Sequence, residues 1–294
     1  MRFLLTGATG FLGRQLLRRL IEQGHEVLAI SRQEQPEIAE LPKTSRLQWV
    51  QRDIRERILV EKGMDVAIHV AGLIGTAETP LSDYLEHNAI GTRNVLDAAR
   101  RAGVSKFIYL SSLSIYGDIQ SEVVDEDTPR SNPDFYGLTK YIGEELVREH
   151  ATTMRTLCLR LPGILSKPEC GPWLSQVLGR AQSGEPIEYF NPEAPFNSAL
   201  DRDDLAEFIA SLANREWMGH EVITLGASEA MPVRELLEFL LAQAGSISTL
   251  VEKPGQDSSF VISNEHAMAS FGYEPRPIQE MVRRMVRSEL QSSR

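Results

Sequence analysis

Tyr136 and Lys140 stand four residues apart in Tyr136-Gly137-Leu138-Thr139-Lys140. On a helix that spacing puts both side chains on one face. A free tyrosine loses its proton at a pKa of roughly 10. A neighbouring ammonium, and a cationic ring beyond it, would stabilise the phenolate and bring the phenol into use as a general acid or base. On spacing alone, a solvated Tyr–Lys helix face is the commoner explanation. Two other features reverse that balance. Ser111 and Ser112 close an apolar run beginning at Phe107 that reads as a strand. Ligands of open α/β sheets bind outside the carboxyl ends of strands, where a hydroxyl can hydrogen-bond a substrate oxygen. Satisfying loop backbone groups is the rival role, above all for Ser111.

The second feature is the glycine triplet Gly7, Gly10 and Gly13, between a short apolar strand and an amphipathic helix. Glycine lets the backbone turn tightly and approach a pyrophosphate. The helix N-terminus adds free amides and partial positive charge. The spacing is one residue longer than the usual dinucleotide fingerprint. In this position it points to NAD(P). The next strand ends at Ser31-Arg32. An acidic residue there would favour NAD, whereas an arginine suits the 2′-phosphate of NADP. Arg32 therefore favours NADP, with NAD possible and a solvated surface arginine as the rival reading. Asp53-Ile54 follow the third strand, where a carboxylate can approach the adenine amino group or cap a turn. Ala71-Gly72 follow the fourth, where small residues let a cofactor lie on the sheet edge or make a plain turn.

The elements that must position these residues alternate along the chain. Strands are expected at 3–5, 25–31, 47–50, 66–70, 107–111 and 154–160, with helices at 14–22, 84–102 and 136–150. Such alternation implies an α/β fold with a doubly wound parallel Rossmann sheet. After Pro162 the texture changes to Pro- and Gly-rich stretches, with helices resuming at 203–213, 233–245 and 278–290. The expected division is a dinucleotide-binding domain over 1–162 and a mainly substrate-binding lobe over 163–294. A strand near 222–225 is expected to return to the sheet.

Bulk properties exclude other classes. The 294 residues carry a formal net charge of −10, the wrong sign for a nucleic-acid partner or a polybasic membrane anchor. No stretch approaches a membrane span, and the amino terminus is too short an apolar run for a signal peptide, so a cytoplasmic location is expected. Cys158 and Cys170 are expected as free thiols. The six histidines have no metal-ligand spacing, so no metal is expected.

The chain resembles the extended short-chain dehydrogenases/reductases, in the nucleotide-sugar epimerase/dehydratase branch. The resemblance is carried by Thr6-Gly7-Ala8-Thr9-Gly10-Phe11-Leu12-Gly13, Asp53-Ile54, His69-Val70-Ala71-Gly72, the Asn88 to Asn94 segment, Ser111-Ser112-Leu113-Ser114-Ile115-Tyr116-Gly117, Tyr136 to Lys140, and Asp203-Asp204-Leu205-Ala206. It implies that Ser112, Tyr136 and Lys140 are catalytic, with Tyr136 the acid/base and Lys140 holding the nicotinamide ribose. It implies cofactor contacts at Gly7, Thr9, Gly10, Phe11, Leu12, Gly13, Arg32, Asp53, Ile54, Ala71, Gly72, Asn88, Ser111, Tyr136, Lys140 and Pro162. Ser112, Ser114, Gly163, Trp173 and Arg202 are the substrate candidates, and Ser166 and Lys167 belong to a loop expected over the substrate. Trp173 could stack on a base or anchor a core. Arg160 reads either as the start of the family's segment after the strand or as a structural ion pair. There is one departure: Arg160-Leu161-Pro162-Gly163 carries glycine where many nucleotide-sugar enzymes have an asparagine at the substrate diphosphate. The expected function is an NAD(P)-dependent epimerase, dehydratase or reductase of a nucleotide-sugar. A reductase of a small free ketone or aldehyde is the alternative, and a non-catalytic cofactor sensor a third. The resemblance also implies a homodimer, with the helices at 84–102 and 136–150 pairing across a two-fold axis.

Overall fold

A computed structural model describes residues 1–34, 44–165, 171–255 and 259–292. Ser166, Lys167 and Cys170 lie outside the described residues. The chain divides into two compact units: Met1–Asp118, Arg130–Arg160 and Asp203–Ile223 form the first, and Ile119–Pro129, Leu161–Arg202 and Thr224–Arg294 the second.

The first unit is built on a seven-stranded sheet. Its strands are β1 (Arg2–Thr6), β2 (Glu26–Ser31), β3 (Leu47–Gln51), β4 (Val66–His69), β5 (Lys106–Ser112), β6 (Arg155–Leu161) and β7 (His220–Thr224), in the order β7-β6-β5-β4-β1-β2-β3. Parallel ladders join β1 to β2 and β4, β2 to β3, and β4 to β5. All seven residues of β5 are buried, as are the last five of β2. Such continuous burial is what a parallel sheet covered on both faces requires, and why these strands read as unbroken apolar runs. The strand near 222–225 does return to the sheet, as β7 beside β6.

The helix Phe11–Glu22 buries Leu16, Leu17, Leu20 and Ile21, the stripe read from the sequence. It starts three residues before the expected position 14, winding directly from Gly10. The helix Phe135–Glu149 starts at Asp134, whose carboxylate accepts from Gly137 N at 2.7 Å. The expected helix over 84–102 is interrupted: Leu81–Tyr84 is α-helical, Leu85–Ile90 is a π-helix, and Gly91–Ala102 resumes the α-helix. π-turns inside helices mark functional positions often, and this one contains Asn88.

In the second unit, the helices Trp173–Ser183, Val233–Ala244 and Ile278–Ser292 pack around Leu174, Leu178, Leu236, Leu240 and Val282. The Pro- and Gly-rich stretch is more regular than its composition suggests. Pro172 starts the helix Trp173–Ser183 from an extended position, where a missing N–H costs nothing. Short ladders pair Gly163–Ile164 with Ala199–Leu200, and Ile187–Tyr189 with Leu250–Glu252. Among the described residues, no helix is long and apolar enough to cross a membrane.

Candidate active site

The glycine loop closes against the end of β4. Gly7 has φ +72°, and a Cβ there would lie 2.7 Å from the Ala71 nitrogen; one on Gly13 would lie 1.9 Å from the Gly7 oxygen. Side chains are therefore excluded where the loop must stay bare. The following helix has no side-chain cap at Gly10. Beside the loop is a cavity of about 520 Å³ lined by Thr9, Arg14, Ser31, Arg32 and Gln33. Arg14, whose Nε donates to the Thr9 carbonyl at 2.8 Å, is a cation that the sequence reading missed. Its signal was the position directly after Gly13, in the first turn of the phosphate-facing helix. The bare loop, the open helix start and the two arginines fit the phosphates of a dinucleotide.

Asp53 turns towards Arg55. Its Oδ1 accepts from Arg55 N at 2.9 Å, and its Oδ2 meets Arg55 Nη2 at 2.8 Å. The Arg55 side-chain bond holds the carboxyl below its ordinary pKa, against the effect of burial. This is the turn-capping arrangement that the sequence left as the rival to an adenine contact. The Ile54 side chain packs on Gly91, and its carbonyl accepts from Asn94 Nδ2 at 2.9 Å.

A buried histidine ties the strand ends together. His69 Nδ1 lies 2.6 Å from Thr6 Oγ1, and its Nε2 lies 3.0 Å from Thr92 Oγ1. Ala71 N donates to Thr6 Oγ1 at 3.2 Å, and Thr92 Oγ1 donates to the Asn88 carbonyl at 2.6 Å. These end contacts orient every proton. Thr92 has spent its hydrogen on Asn88, so it accepts from His69 Nε2–H; Nδ1 then accepts from the Thr6 hydroxyl. The imidazole is thus neutral, and burial, with the Lys140 charge second, lowers its pKa to about 3. The unfolded chain binds a proton here below pH 6.5 or so and the native chain does not until pH 3 or so, so His69 makes stability drop as pH is lowered through that window, by roughly 5 kcal/mol in all. We expect His69→Gln to flatten that part of the acid-unfolding curve measured by denaturant titration. An unchanged difference in stability between pH 6.5 and the acid limit would refute the neutral-relay assignment.

Asn88, at the end of this relay, clamps the loop after β4. Its Oδ1 accepts from Leu73 N at 2.7 Å, while its Nδ2 donates to Leu73 O at 2.9 Å and to Thr139 Oγ1 at 3.2 Å. A Cβ on Gly72 would lie 3.2 Å from Asn88 Oδ1 and 3.9 Å from Lys140 Nζ. Gly72, Asn88 and Lys140 are thus brought together.

Ser112, Ser114 and Tyr136 also converge. Ser112 Oγ accepts from Ser114 N at 3.1 Å and donates to Ser114 Oγ at 3.1 Å, and it lies near enough to the Tyr136 side chain to act on its pKa. Ser111 Oγ is buried and has no hydrogen-bond partner among the described residues, so it does not satisfy the loop backbone. Burial raises the Tyr136 pKa, Ser112 opposes that rise, and the Asp134 and Tyr84 charges add to it. The lowering that a neighbouring ammonium would give is not realised in the free chain. The physical reason is where Lys140 points: its Nζ sits over the Tyr109 ring at 4.1 Å and beside Gly72. Lys140 is itself buried, and that burial lowers its pKa to about 7 although Glu144 pulls the other way. A cavity of about 300 Å³ is lined by residues of the 74–79 loop with Tyr84, Asp134, Phe135 and Tyr136. Sequence reading missed this loop. Its one signal is Gly75, with φ +69° and the Tyr84 hydroxyl 2.3 Å from where a Cβ would be.

Residues 3–226 match the model of the NAD dependent epimerase/dehydratase family. The chain belongs to that family. Among curated relatives it is 26% identical to the dTDP-4-dehydro-6-deoxy-D-allose reductase of Streptomyces bikiniensis, over 94% of this chain and 92% of the relative. It is 29% identical to the 2-alkyl-3-oxoalkanoate reductase of Stenotrophomonas maltophilia, over 84% and 76%. Among solved structures, MoeE5 in complex with UDP-glucuronic acid and NAD superposes with a TM-score of 0.83 at 24% identity, covering 99% of this chain and 100% of that one. That likeness bears on the fold.

For an epimerase/dehydratase family member, the second unit carries informative departures. Gly163 has no room for a side chain: a Cβ there would lie 2.4 Å from Pro172 Cβ. The asparagine of many relatives is thus excluded by packing within this unit. Pro162 precedes it as the link from β6. Trp173 is half-buried at the start of its helix, 5.3 Å from the Phe196 ring and packed on the unit's core, which is the anchoring role. Arg202, half-buried, begins the helix Arg202–Ser211.

Proposed function

We propose that this chain transfers a hydride at a carbon of a nucleotide-linked sugar, as an epimerase, dehydratase or keto-reductase, with Tyr136 moving the hydroxyl proton. The observation that carries the proposal is the convergence of Tyr136 Oη on Ser112, with a buried Lys140 one helical turn away, at the carboxyl end of β5. Ser112 and Ser114 would hold the reacting oxygen of the substrate. Tyr136 Oη, protonated in the free chain, would donate to that oxygen in reduction and receive its proton in oxidation. Lys140, facing Gly72 and Asn88, would hold the ribose hydroxyls. NAD(P), when bound, supplies the hydride donor or acceptor and, oxidised, a cationic ring that favours the phenolate. Gly163, Trp173 and Arg202 of the second unit stay candidates for further substrate contacts.

The test is the melting temperature of the NADP-loaded protein with UDP, dTDP, GDP and CDP, because a ligand that binds only the native state raises it. A rise with one of them identifies the base. No rise with any moves the assignment to a free ketone or aldehyde. That second reading is favoured by one observation, the closed Gly163 position, and it agrees with the name of the Stenotrophomonas relative.

Arg32 and Arg14 around the 520 Å³ cavity support NADP over NAD. Each charge-assisted phosphate contact is worth roughly 1.5–3 kcal/mol. Arg32→Glu should therefore lower the NADP-to-NAD affinity ratio by roughly 10- to 100-fold, as read by cofactor fluorescence titration. An unchanged ratio would remove Arg32 from the site. A homodimer is supported by Ile90 and Leu138, 47% and 37% exposed on the two helical segments expected to pair. Sedimentation at micromolar concentration tests it, and a monomer mass refutes it.

A further inference from the structure

The deepest ion pair of the first unit lies one helical turn beyond Lys140. Glu144 and Arg160 have side chains only 3% exposed. Arg160 Nε donates to Glu144 Oε1 at 3.1 Å and its Nη2 to Oε2 at 2.9 Å, while its Nη1 donates to the Tyr116 hydroxyl at 2.8 Å. Tyr116 ends the turn Leu113–Tyr116, which starts at Ser112 and contains Ser114. The pair therefore joins β6, the helix of Tyr136 and Lys140, and the serine turn. A buried pair of this kind is a poor source of stability, because desolvation offsets most of the attraction. Its placement suggests another role.

We propose that the Glu144–Arg160 pair positions Lys140: the guanidinium occupies both carboxylate oxygens, which keeps the ammonium off Glu144 and turned towards Gly72 and Asn88. The inference rests on the assignment of Lys140 to the cofactor ribose. A lysine and a glutamate at i and i+4 on one helix would otherwise pair with each other. Here the carboxylate is already satisfied, so the lysine is left available to a ligand. The groups that face Lys140 support this. Glu144 comes from its own helix, Tyr109 from β5, Cys158 from β6, His69 from β4, and Asn88 from the π-helical turn, while Arg160, also on β6, reaches this group through Glu144. Burial keeps Tyr109 and Cys158 protonated and His69 neutral. Glu144 is thus the one anion among them, and Arg160 offsets part of its pull. Burial is what brings the Lys140 pKa down to about 7, and the partly neutralised carboxylate opposes it only in part.

The experiment follows the Nζ titration of Lys140 in cofactor-free, ¹⁵N-lysine-labelled protein by NMR, with the signal identified by its loss in Lys140→Met. Arg160→Met should raise the Lys140 titration point by about one pH unit or more, because Glu144 becomes its direct partner. Glu144→Gln, nearly isosteric, should lower it, because Arg160 is left as an unopposed cation. The double variant removes both charges and should return it to within about half a unit of the native value. Equal titration in all folded variants, or a native Lys140 with an ordinary lysine value, would overturn the proposal and leave the pair a structural tie. Should Arg160→Met not fold, Glu144→Gln decides by the same criterion. Cofactor affinity is a second readout: Arg160→Met should weaken it about tenfold while Arg160→Lys partly restores it. If the catalytic assignment itself is wrong, Tyr136→Phe will turn over normally, whatever this titration shows.

Discussion

Lys140→Met is expected to stabilise the free protein while removing its turnover. Lys140 is 4% exposed, and its burial lowers its pKa from the ordinary 10.5 to about 7, with Glu144 and Cys158 opposing. In the unfolded chain the same amine keeps its proton to the ordinary value. Between the two values the unfolded state binds more protons, so native stability rises with pH over that window. Below the folded value the lysine imposes its full cost, and at pH 7 that cost is roughly 4 kcal/mol. Methionine keeps much of the stem and brings no charge. Calorimetry should therefore show the variant melting higher at pH 7, by roughly 10 °C at most for a protein of this size. The gap should narrow steadily to pH 10 or so and close above the ordinary lysine value, where the amine is neutral in both states. Turnover should vanish at every pH because the side chain proposed to hold the cofactor ribose is gone. A variant that melts lower throughout, or a wild type with no stability gain between pH 7 and pH 10 or so, would mean that Lys140 is not held as a buried, strained charge.

The residues that would do chemistry were legible because each sits where a local rule applies. Gly7, Gly10 and Gly13 announce a bare turn between strand and helix. Tyr136 and Lys140 share a face through helical spacing, and Ser112 ends an apolar run. What was not legible depends on contacts distant in sequence. Arg14 looks like any polar residue on a surface helix; only the fold sets it beside Arg32. His69 was one of six histidines without a metal pattern. Its role appears when Thr6 and Thr92, 63 and 23 residues away, are seen on its two nitrogens. The π-helical turn at Leu85–Ile90 left no mark in the apolar periodicity, which ran on into the following helix. Gly163 was read as a missing functional group, and what the sequence did not show is that Pro172 occupies the space a side chain would need. The electrostatics were hardest to foresee. Spacing places Lys140 one turn from Tyr136, but the direction of its Nζ is set by Tyr109, Gly72 and the occupied carboxylate of Glu144.

That direction shapes what Tyr136→Phe should do. In the free chain the phenol is held above its ordinary pKa by burial, reinforced by Asp134 and Tyr84 and opposed by Ser112. It is therefore protonated throughout neutral pH, the correct state for donating to a carbonyl oxygen. With cofactor saturating, so that the Lys140 value of the free chain does not enter, the reductive kcat/KM should stay flat through neutral pH and decline only where the phenol ionises, above the ordinary tyrosine value. The oxidative direction needs the phenolate, so its rate should rise with pH over the same range, helped by the positive ring of the oxidised cofactor. Removing the hydroxyl should lower kcat by roughly 10²- to 10⁴-fold in both directions, the usual contribution of a general acid or base. Cofactor affinity should change little, since the glycine loop and the Arg14–Arg32 cavity do not involve the phenol. Ser112 keeps its bonds to Ser114, so the fold should tolerate the change. Steady-state kinetics against pH, with cofactor binding measured separately, test all three parts. A variant with full turnover would remove Tyr136 from the reaction. One that loses turnover and cofactor affinity together would make it a binding residue, and the proton would have to move through the remaining hydroxyls at the end of β5, Ser111 and Ser112.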